Sequence, residues 1–343
     1  MHVKKRLLIL GLMMSLCLSA ACGSTDASTV KSTDEQNTSV DAEGTTENTE
    51  SADANPAQEP TPEPTPEPTP EPTPEKETVY LEAKVCDKDA DGTICNTVLN
   101  EYDEYGNLKK SESIGEYAGC YEYVYEYDDN GMQLRETLYV DSVFSLDRKY
   151  TYDEEKRKIK VSWYDETGVL TEEDHFEYDD NDNVLKETEY NDVNEIEGIT
   201  EYIYNEEGNK IQRTIYDAQG NAENSRLYEY DQNGNMISDK EYGSDGQIER
   251  EYIYEYDNKG NRIKTNYKWL FEDTIIKYET IYEYNSDNKL VKETEYYDGE
   301  ISYCDEYEYD EAGNAVKLTR YGNGGEIYFV EETEYIAIEI IKW

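Results

Sequence analysis

The sequence predicts an all-β protein, a long antiparallel β-meander of about 20 strands that is curled or twisted and built from repeats of roughly 26 residues. Three observations predict this fold class. Aromatic and charged residues alternate, as they do along a strand. All 35 tyrosines lie at or after position 80 and all nine prolines lie before it, which favours strands with intact backbone donors. A Tyr-x-Tyr-Asp pattern, with Asn or Phe at the first position or Asn at the last in some copies, recurs every 25 to 28 residues, its second tyrosine lying at Tyr102, Tyr127, Tyr152, Tyr178, Tyr204, Tyr230, Tyr256, Tyr284 and Tyr309.

One copy of the repeat, residues 251–264, predicts a hairpin. Its tyrosines at 252, 254 and 256 point to one face, and a turn follows in which Asp257 accepts backbone hydrogen bonds and Gly260 adopts a positive φ. Parity favours a four-residue loop that pairs Tyr254 with Ile263 and Glu255 with Arg262. The same rule predicts the pairs Tyr228–Ile237, Tyr202–Ile211, Tyr307–Val316 and Glu306–Lys317.

The predicted sheet has two unlike faces, one rich in tyrosine and one rich in Glu and Lys. We expect the sheet to coil with the tyrosine face inward, because sheets above about ten strands must twist, curl or split. A flat single-layer sheet that is wet on both sides is the alternative. The last residues, 335–343, are apolar on both faces and predict a strand that caps the end of the curl.

The N-terminal residues 1–21 predict an export signal, because three basic residues precede an apolar run that is too short to span a membrane. The run ends at Leu18-Ser-Ala-Ala-Cys22, which resembles the lipobox of bacterial lipoproteins, although Ser19 replaces the usual aliphatic residue. The resemblance implies that Cys22 is acylated and becomes the mature N-terminus. An ordinary secretory signal with an incidental cysteine is the alternative.

Residues 22–78 predict a disordered tether rich in Pro, Thr and Glu, ahead of a repeat domain at 79–343. The first part has almost nothing to bury. The Glu-Pro-Thr-Pro repeats that follow favour a polyproline II spacer of roughly 50 Å. A ligand for a proline-recognising domain is the alternative reading of these repeats.

The composition is strongly acidic, with a net charge of −48 for the whole chain. Removing residues 1–21 leaves 29 Lys and Arg against 80 Asp and Glu, a net charge of −51. Such a chain repels nucleic acid and anionic lipid, which argues against a nucleic-acid partner.

Two copies of the motif, Tyr230-Asp-Gln-Asn-Gly-Asn-Met-Ile237 and Tyr309-Asp-Glu-Ala-Gly-Asn-Ala-Val316, resemble the YD (Rhs) repeat over roughly residues 100–325. In Rhs proteins, Tc-toxin components and teneurins such repeats wind into β-sheet shells. This chain has far fewer copies and lacks the Asp-Pro processing motif of the family. The resemblance therefore implies the repeat fold and does not imply toxin delivery.

The segment Asp87-Lys-Asp89-Ala-Asp91-Gly92 is the candidate metal site, with Asp87, Asp89 and Asp91 as possible calcium ligands, because alternating oxygen ligands before a glycine begin a calcium loop. The twelfth position, where a Glu is needed, is Val98. An acidic hairpin turn is the alternative. Cys86 and Cys95 flank this segment, and a disulfide across the hairpin is a further possibility.

Catalytic motifs are missing from the sequence, so we predict that the protein is not an enzyme. His175 is the single histidine after residue 2 and is expected at the surface or an edge. The tyrosines are either a structural layer or a binding surface for sugar rings.

We therefore predict a lipid-anchored protein on the extracellular face of the bacterial membrane, with non-catalytic binding or adhesion to glycan, wall polymer or protein. The ligand-binding residues are unknown at this point, and no cofactor other than possible calcium is expected. The alternative function is a structural or interaction module that partners a secreted toxin system.

Overall fold

The structure is a computed structural model that describes residues 75–115, 119–271 and 274–342. The predicted signal peptide, Cys22 and nearly all of the predicted tether lie outside the described residues. The first strand begins at Glu75, slightly before the predicted start of the repeat domain at 79. No helix within the described ranges is long and apolar enough to cross a membrane.

The described chain is entirely β-structure, which confirms the predicted fold class and the expected number of strands. The strands are β1 (Glu75–Asp89), β2 (Ile94–Tyr102), β3 (Leu108–Gly115), β4 (Gly119–Tyr127), β5 (Gln133–Val140), β6 (Val143–Tyr152), β7 (Lys158–Tyr164), β8 (Leu170–Tyr178), β9 (Val184–Asn191), β10 (Ile196–Tyr204), β11 (Lys210–Asp217), β12 (Ala222–Tyr230), β13 (Met236–Gly243), β14 (Ile248–Tyr256), β15 (Arg262–Phe271), β16 (Thr274–Tyr284), β17 (Leu290–Tyr297), β18 (Glu300–Tyr309), β19 (Ala315–Gly322) and β20 (Ile327–Lys342).

The strands form one closed sheet. Each strand pairs antiparallel with the next, and β1 pairs antiparallel with β20, from Glu75 opposite Lys342 to Asp89 opposite Phe329. The prediction that residues 335–343 cap the end of the curl is therefore wrong, because β20 closes the sheet. Closure gives the outer backbone groups of both terminal strands a partner and removes the exposed edges.

The repeat turns show why the predicted pairing is wrong. The backbone amide of Gly260 donates to the Asp257 carbonyl at 3.2 Å, and the amide of Asp257 donates to the Asn261 carbonyl at 2.9 Å. Gly260 has a φ of +85°, so the loop is a type I turn followed by a left-handed glycine. Tyr256 then lies opposite Arg262, but Glu255 lies opposite Lys264 because a β-bulge follows.

The bulge moves each predicted pair by two residues. Tyr254 faces Thr265 rather than Ile263, and Glu255 faces Lys264 rather than Arg262. A shift of two preserves parity, so the predicted faces survive although the predicted partners do not. The other predicted pairs are wrong in the same way, the observed pairs being Tyr228–Asp239, Tyr202–Arg213, Tyr307–Leu318 and Glu306–Thr319.

The turn aspartates hold the loops as the sequence predicts. The Asp257 carboxylate accepts from the backbone amides of Lys259 and Asn261 at 2.8 and 2.9 Å, and from the Asn261 side chain at 2.9 Å. The side-chain hydrogen bond from Asn261 is the main cause that lowers the pKa of Asp257. The Asn side chain makes the same bond in other repeats, with Asp103, Asp179, Asp217, Asp231 and Asp310.

A second hydrogen bond, which we call the tyrosine latch, joins consecutive repeats. The Tyr256 hydroxyl on β14 donates to the backbone carbonyl of Met236, the first residue of β13, at 2.7 Å. Met236 lies beyond the last β13–β14 ladder pair, Ser238 with Ile253, so its carbonyl has no strand partner on that side. Equivalent latches are made by Tyr102, Tyr127, Tyr152, Tyr178, Tyr204, Tyr230, Tyr284, Tyr309 and Tyr335.

The tyrosine face is the more shielded of the two faces. Along β12, Tyr228 and Tyr230 are half-buried while Leu227 and Glu229 are exposed. Buried residues nevertheless lie on both faces, for example Thr265 opposite Tyr254 and Thr214 opposite Glu201, so the inward direction of the tyrosine face stays a prediction. No large side chain among the described residues is fully buried. The closed sheet therefore consists of a single layer.

The tyrosine latch leads to a stability prediction. Tyr256→Phe keeps the ring and removes the donor, which leaves the Met236 carbonyl without its partner; we expect a loss of about 1 kcal/mol in the free energy of unfolding. Urea denaturation measures it. The matched control is Tyr328→Phe, because Tyr328 is 69% exposed. Equal losses for both variants would contradict a stabilising role for the latch.

Candidate tyrosine-walled binding site

The candidate site lies where the repeat is longest. The spacing between repeat tyrosines is 28 residues from Tyr256 to Tyr284, and the hairpin β15–β16 pairs without a register shift from Lys264–Ile281 to Phe271–Thr274. The extra residues lengthen the regular ladder of this hairpin. Rows of side chains therefore align across β14, β15, β16 and β17.

A tyrosine ladder forms the first of these rows. Tyr252, Tyr267, Tyr278 and Tyr297 lie directly opposite one another across the four strands. Successive ring centroids are 4.5, 5.9 and 5.1 Å apart. The first two contacts are stacked, with the rings 22° from parallel. The ladder therefore presents ring edges and hydroxyls to the space beside it, because ring faces within it are turned toward each other.

The neighbouring row of side chains contains two threonines and is therefore lower than the tyrosines around it. Tyr254 faces Thr265, Thr265 faces Thr280, and Thr280 faces Glu295. Both threonines are buried, and the Thr265 hydroxyl lies 3.3 Å from the hydroxyl of Tyr282. Because Thr265 and Thr280 are smaller than the surrounding tyrosines, they form the floor of a depression, and this floor carries hydroxyl groups.

Charged groups complete the walls. The Arg262 guanidinium lies over the rings of Tyr254 and Tyr282, at 5.6 and 4.9 Å from their centroids, which is favourable cation–π geometry. Burial is the main cause that raises the pKa of Glu295 at the other side. Burial also raises the pKa of Tyr254 to about 12, so its hydroxyl remains a proton donor at neutral pH.

We call this depression the tyrosine-walled pocket; its lining residues are Tyr252, Tyr254, Arg262, Thr265, Tyr267, Tyr278, Thr280, Tyr282 and Glu295. Its volume is about 340 Å³. That volume lies at the lower end of the range of about 300–1,000 Å³ that is typical of small-ligand pockets. The lining offers hydroxyl donors and acceptors with one cation and one carboxyl group. This is a set suited to holding a polar molecule.

The sequence predicts a tyrosine face but does not identify this pocket. Under the predicted pairing Tyr254 faces Ile263, so Thr265 does not lie opposite Tyr254. The observable signal is the 28-residue spacing, which is the longest in the array. Read together with threonines at 265 and 280, it marks the lengthened hairpin β15–β16.

The three candidate calcium ligands are not brought together as a ligand set. The Asp89 carboxylate accepts from the backbone amides of Asp91 and Thr93 at 3.2 and 3.0 Å. Asp87 lies on the ladder opposite Asn96, whose side chain donates to it at 3.1 Å. Among the described residues no group of three His, Cys, Asp or Glu side chains is arranged to hold a metal. This geometry favours the acidic hairpin turn, and calcium binding stays a prediction from the sequence.

The cysteines near this turn are both free thiols in the structure. Cys86 lies opposite Thr97, whereas Cys95 falls at the bulge between the Asp87–Asn96 and Lys88–Ile94 pairs. The Cys95 thiol contacts the Asp87 carbonyl at 3.3 Å. Because of the bulge, Cys86 and Cys95 do not lie opposite each other, and no disulfide joins them in the structure.

His175 lies at the surface, as the sequence predicts, but on an interior strand of the closed sheet. Its Nε2 is 3.3 Å from the Glu173 carboxylate, and its ring lies 4.7 Å from that of Tyr190. Its side chain is 42% exposed.

The carboxyl group of Asp174 on β8 lies in an environment that disfavours its ionised form. One oxygen of Asp174 is 3.4 Å from the Trp163 indole nitrogen, and the other is buried without a hydrogen-bond partner among the described residues. Burial is the main cause that raises the pKa of Asp174 to about 6, and the neighbouring Glu172, Glu187 and Glu189 raise it further.

The chain is similar to several solved structures, but with low sequence identities and low TM-scores. No protein-family model and no curated relative matches the chain. A crystal structure of TcdB2-TccC3-Cdc42 is 12% identical over 70% of this chain and 19% of that chain, with a TM-score of 0.29. Porin-like proteins from Bacteroides uniformis and Bacteroides vulgatus are 12% and 13% identical over 76% and 74% of this chain and 98% of each of those chains, with TM-scores of 0.34 and 0.31. The first match thus spans a small part of that longer chain, and similarities at this level carry no functional argument.

The Asp174 setting yields a pH prediction. A folded pKa above the unfolded value means that ionised Asp174 destabilises the fold at high pH, and that this penalty disappears as the pH falls through about 6 toward 4. Asp174→Asn should therefore add about 1–2 kcal/mol to the free energy of unfolding at pH 8, after allowance for solvent screening, and almost nothing at pH 4. Denaturation of both proteins at the two pH values measures this difference. The control is Asp180→Asn in an exposed turn. A gain that is equal at both pH values would contradict the assignment.

Proposed function

We propose that this chain is a non-catalytic binding protein of the bacterial cell surface, anchored through Cys22, and that the tyrosine-walled pocket binds a unit of a neutral or amino-bearing glycan. The observation that carries the proposal is the threonine-floored depression among tyrosines on β14–β17. The lipobox resemblance and the tether composition support the cell-surface address.

The chemistry of the pocket supports a polyhydroxylated ligand. Five tyrosines and two threonines line it, and each hydroxyl both donates and accepts hydrogen bonds. Because stacked neighbours occupy ring faces in the ladder, recognition depends on hydroxyls and ring edges more than on the sugar stacking expected from the sequence. Arg262 and Glu295 add one charged group of each sign, which fixes the orientation of a polar ligand.

The charge of the protein narrows the ligand class. A mature chain with a net charge of −51 repels anionic polymers at cell-surface ionic strength. A neutral glycan, or one that carries free amino groups, meets no such barrier. Anionic wall polymers are therefore disfavoured as ligands.

The binding prediction uses the mature chain with Cys22→Ser, so that no acyl group contributes to binding. On a glycan array and in pull-downs with purified wall sacculi, we expect retention of neutral or amino-bearing glycans. Tyr267→Ala, which removes the centre of the ladder, should weaken binding at least about tenfold. The matched control is Tyr125→Ala, because Tyr125 is a half-buried residue of the tyrosine face outside the pocket.

Two results would contradict the proposal. Equal weakening by Tyr267→Ala and Tyr125→Ala would show that the pocket has no special role. The absence of any glycan or wall binding by a protein that unfolds cooperatively would remove the proposed ligand class.

The proposed address is tested separately. In bacteria grown with labelled palmitate, the wild-type protein should carry the label and sediment with membranes. Cys22→Ser should abolish the label and release the protein in soluble form, because the acyl chains supply the membrane affinity. Label retained in Cys22→Ser, or a soluble unlabelled wild type, would overturn the lipoprotein assignment.

A further inference from the structure

The two ends of the closed sheet differ in the residues that they expose. Hairpins that lead from an odd-numbered strand to an even-numbered one all lie at one end, which we call the rim. Each of these hairpins except β11–β12 carries a large exposed hydrophobic residue in or beside its turn. Among the most exposed are Val143 at 67%, Val193 at 65%, Ile275 at 59% and Val169 at 57%. Isolated exposed aliphatic residues are ordinary on protein surfaces, but their recurrence around one end makes a patch.

The charges of the rim have a single sign. Its described turns contain no Lys or Arg, and exposed carboxylates alternate with the aliphatic side chains, among them Asp91, Asp141, Glu166, Asp192, Asp245 and Glu326. The turns at the opposite end carry both signs, with cations at Lys156, Arg157, Lys259 and Lys289. The rim turns therefore combine apolar contact area with exposed carboxylates, and Lys88 beside the first turn is paired with Glu332.

The chain connects at the end opposite the rim. β1 runs from Glu75 toward the first rim turn, which follows Asp89, and β20 runs away from the rim toward Lys342. Everything that precedes Glu75 in the sequence therefore joins the sheet at the far end.

We propose that the rim is a docking surface for a protein partner that presents an apolar surface bordered by Lys and Arg. Charge complementarity selects this occupant, because cations on the partner would lie between aliphatic contacts beside the rim carboxylates. A second copy of the chain would bring two acidic rims together, and an anionic bilayer would be repelled. The inference does not rest on glycan binding, and it favours the interaction-module alternative.

The test uses the mature chain with Cys22→Ser and two synthetic helical peptides as probes, one of Leu and Lys and one of Ser and Lys with the same charge. The rim variant combines Val143→Ser, Val169→Ser, Val193→Ser and Ile275→Ser. The matched control replaces exposed aliphatic residues at the other end, Leu134→Ser, Leu185→Ser and Ile203→Ser. Circular dichroism and thermal unfolding establish that both variants keep the fold.

Calorimetry should show that wild type binds the Leu/Lys peptide at least about tenfold more tightly than the Ser/Lys peptide, since the difference measures apolar contact. The rim variant should lose this advantage and the control should keep it. An advantage that is absent in wild type, or that survives in the rim variant, would overturn the proposal. Rim-dependent binding to phosphatidylcholine vesicles, or rim-dependent self-association in the ultracentrifuge, would overturn it in favour of a membrane or a second copy.

Discussion

The hydrogen bond from each repeat tyrosine to a backbone carbonyl of the preceding odd-numbered strand is the constraint on which the fold depends. Met236 pairs with Tyr230 on β12, but the β13–β14 ladder ends at Ser238–Ile253 and leaves the Met236 carbonyl without a strand partner on that side. The Tyr256 hydroxyl supplies the missing partner. The latch thus satisfies a backbone carbonyl beyond the end of the ladder, and it recurs from Tyr102 to Tyr335 around the sheet.

This arrangement explains how a sheet with so thin a core can hold together. Few large side chains are buried, and most of the buried residues are small and polar, such as Thr188, Thr214 and Thr319. Stability must therefore come from the closed backbone ladder, the latches and cross-strand side-chain pairs. Some of these pairs are strong: Asp305 is nearly fully buried and accepts two hydrogen bonds from Arg320, at 2.8 and 2.6 Å.

The sequence was sufficient to predict the strand number and the two faces, because period and alternation are local properties. It was not sufficient for the register, since shifts of two residues leave every side chain on the same face. Closure depends on the backbone pairing of β1 with β20, for example of Thr78 with Glu339, which no local pattern encodes. The pocket was missed for a related reason, because the positions of Thr265 opposite Tyr254 and of Thr280 opposite Glu295 depend on bulges in the flanking ladders.

Each repeat contributes two strands, and this limits how such chains change in size over evolution. Antiparallel closure requires an even number of strands, and each duplication or deletion of a whole repeat adds or removes one hairpin. The first and last strands then still meet in opposite directions, while the perimeter changes by about 10 Å per repeat. A ring of this type is therefore free to grow or shrink by simple copying errors in its gene without opening a seam.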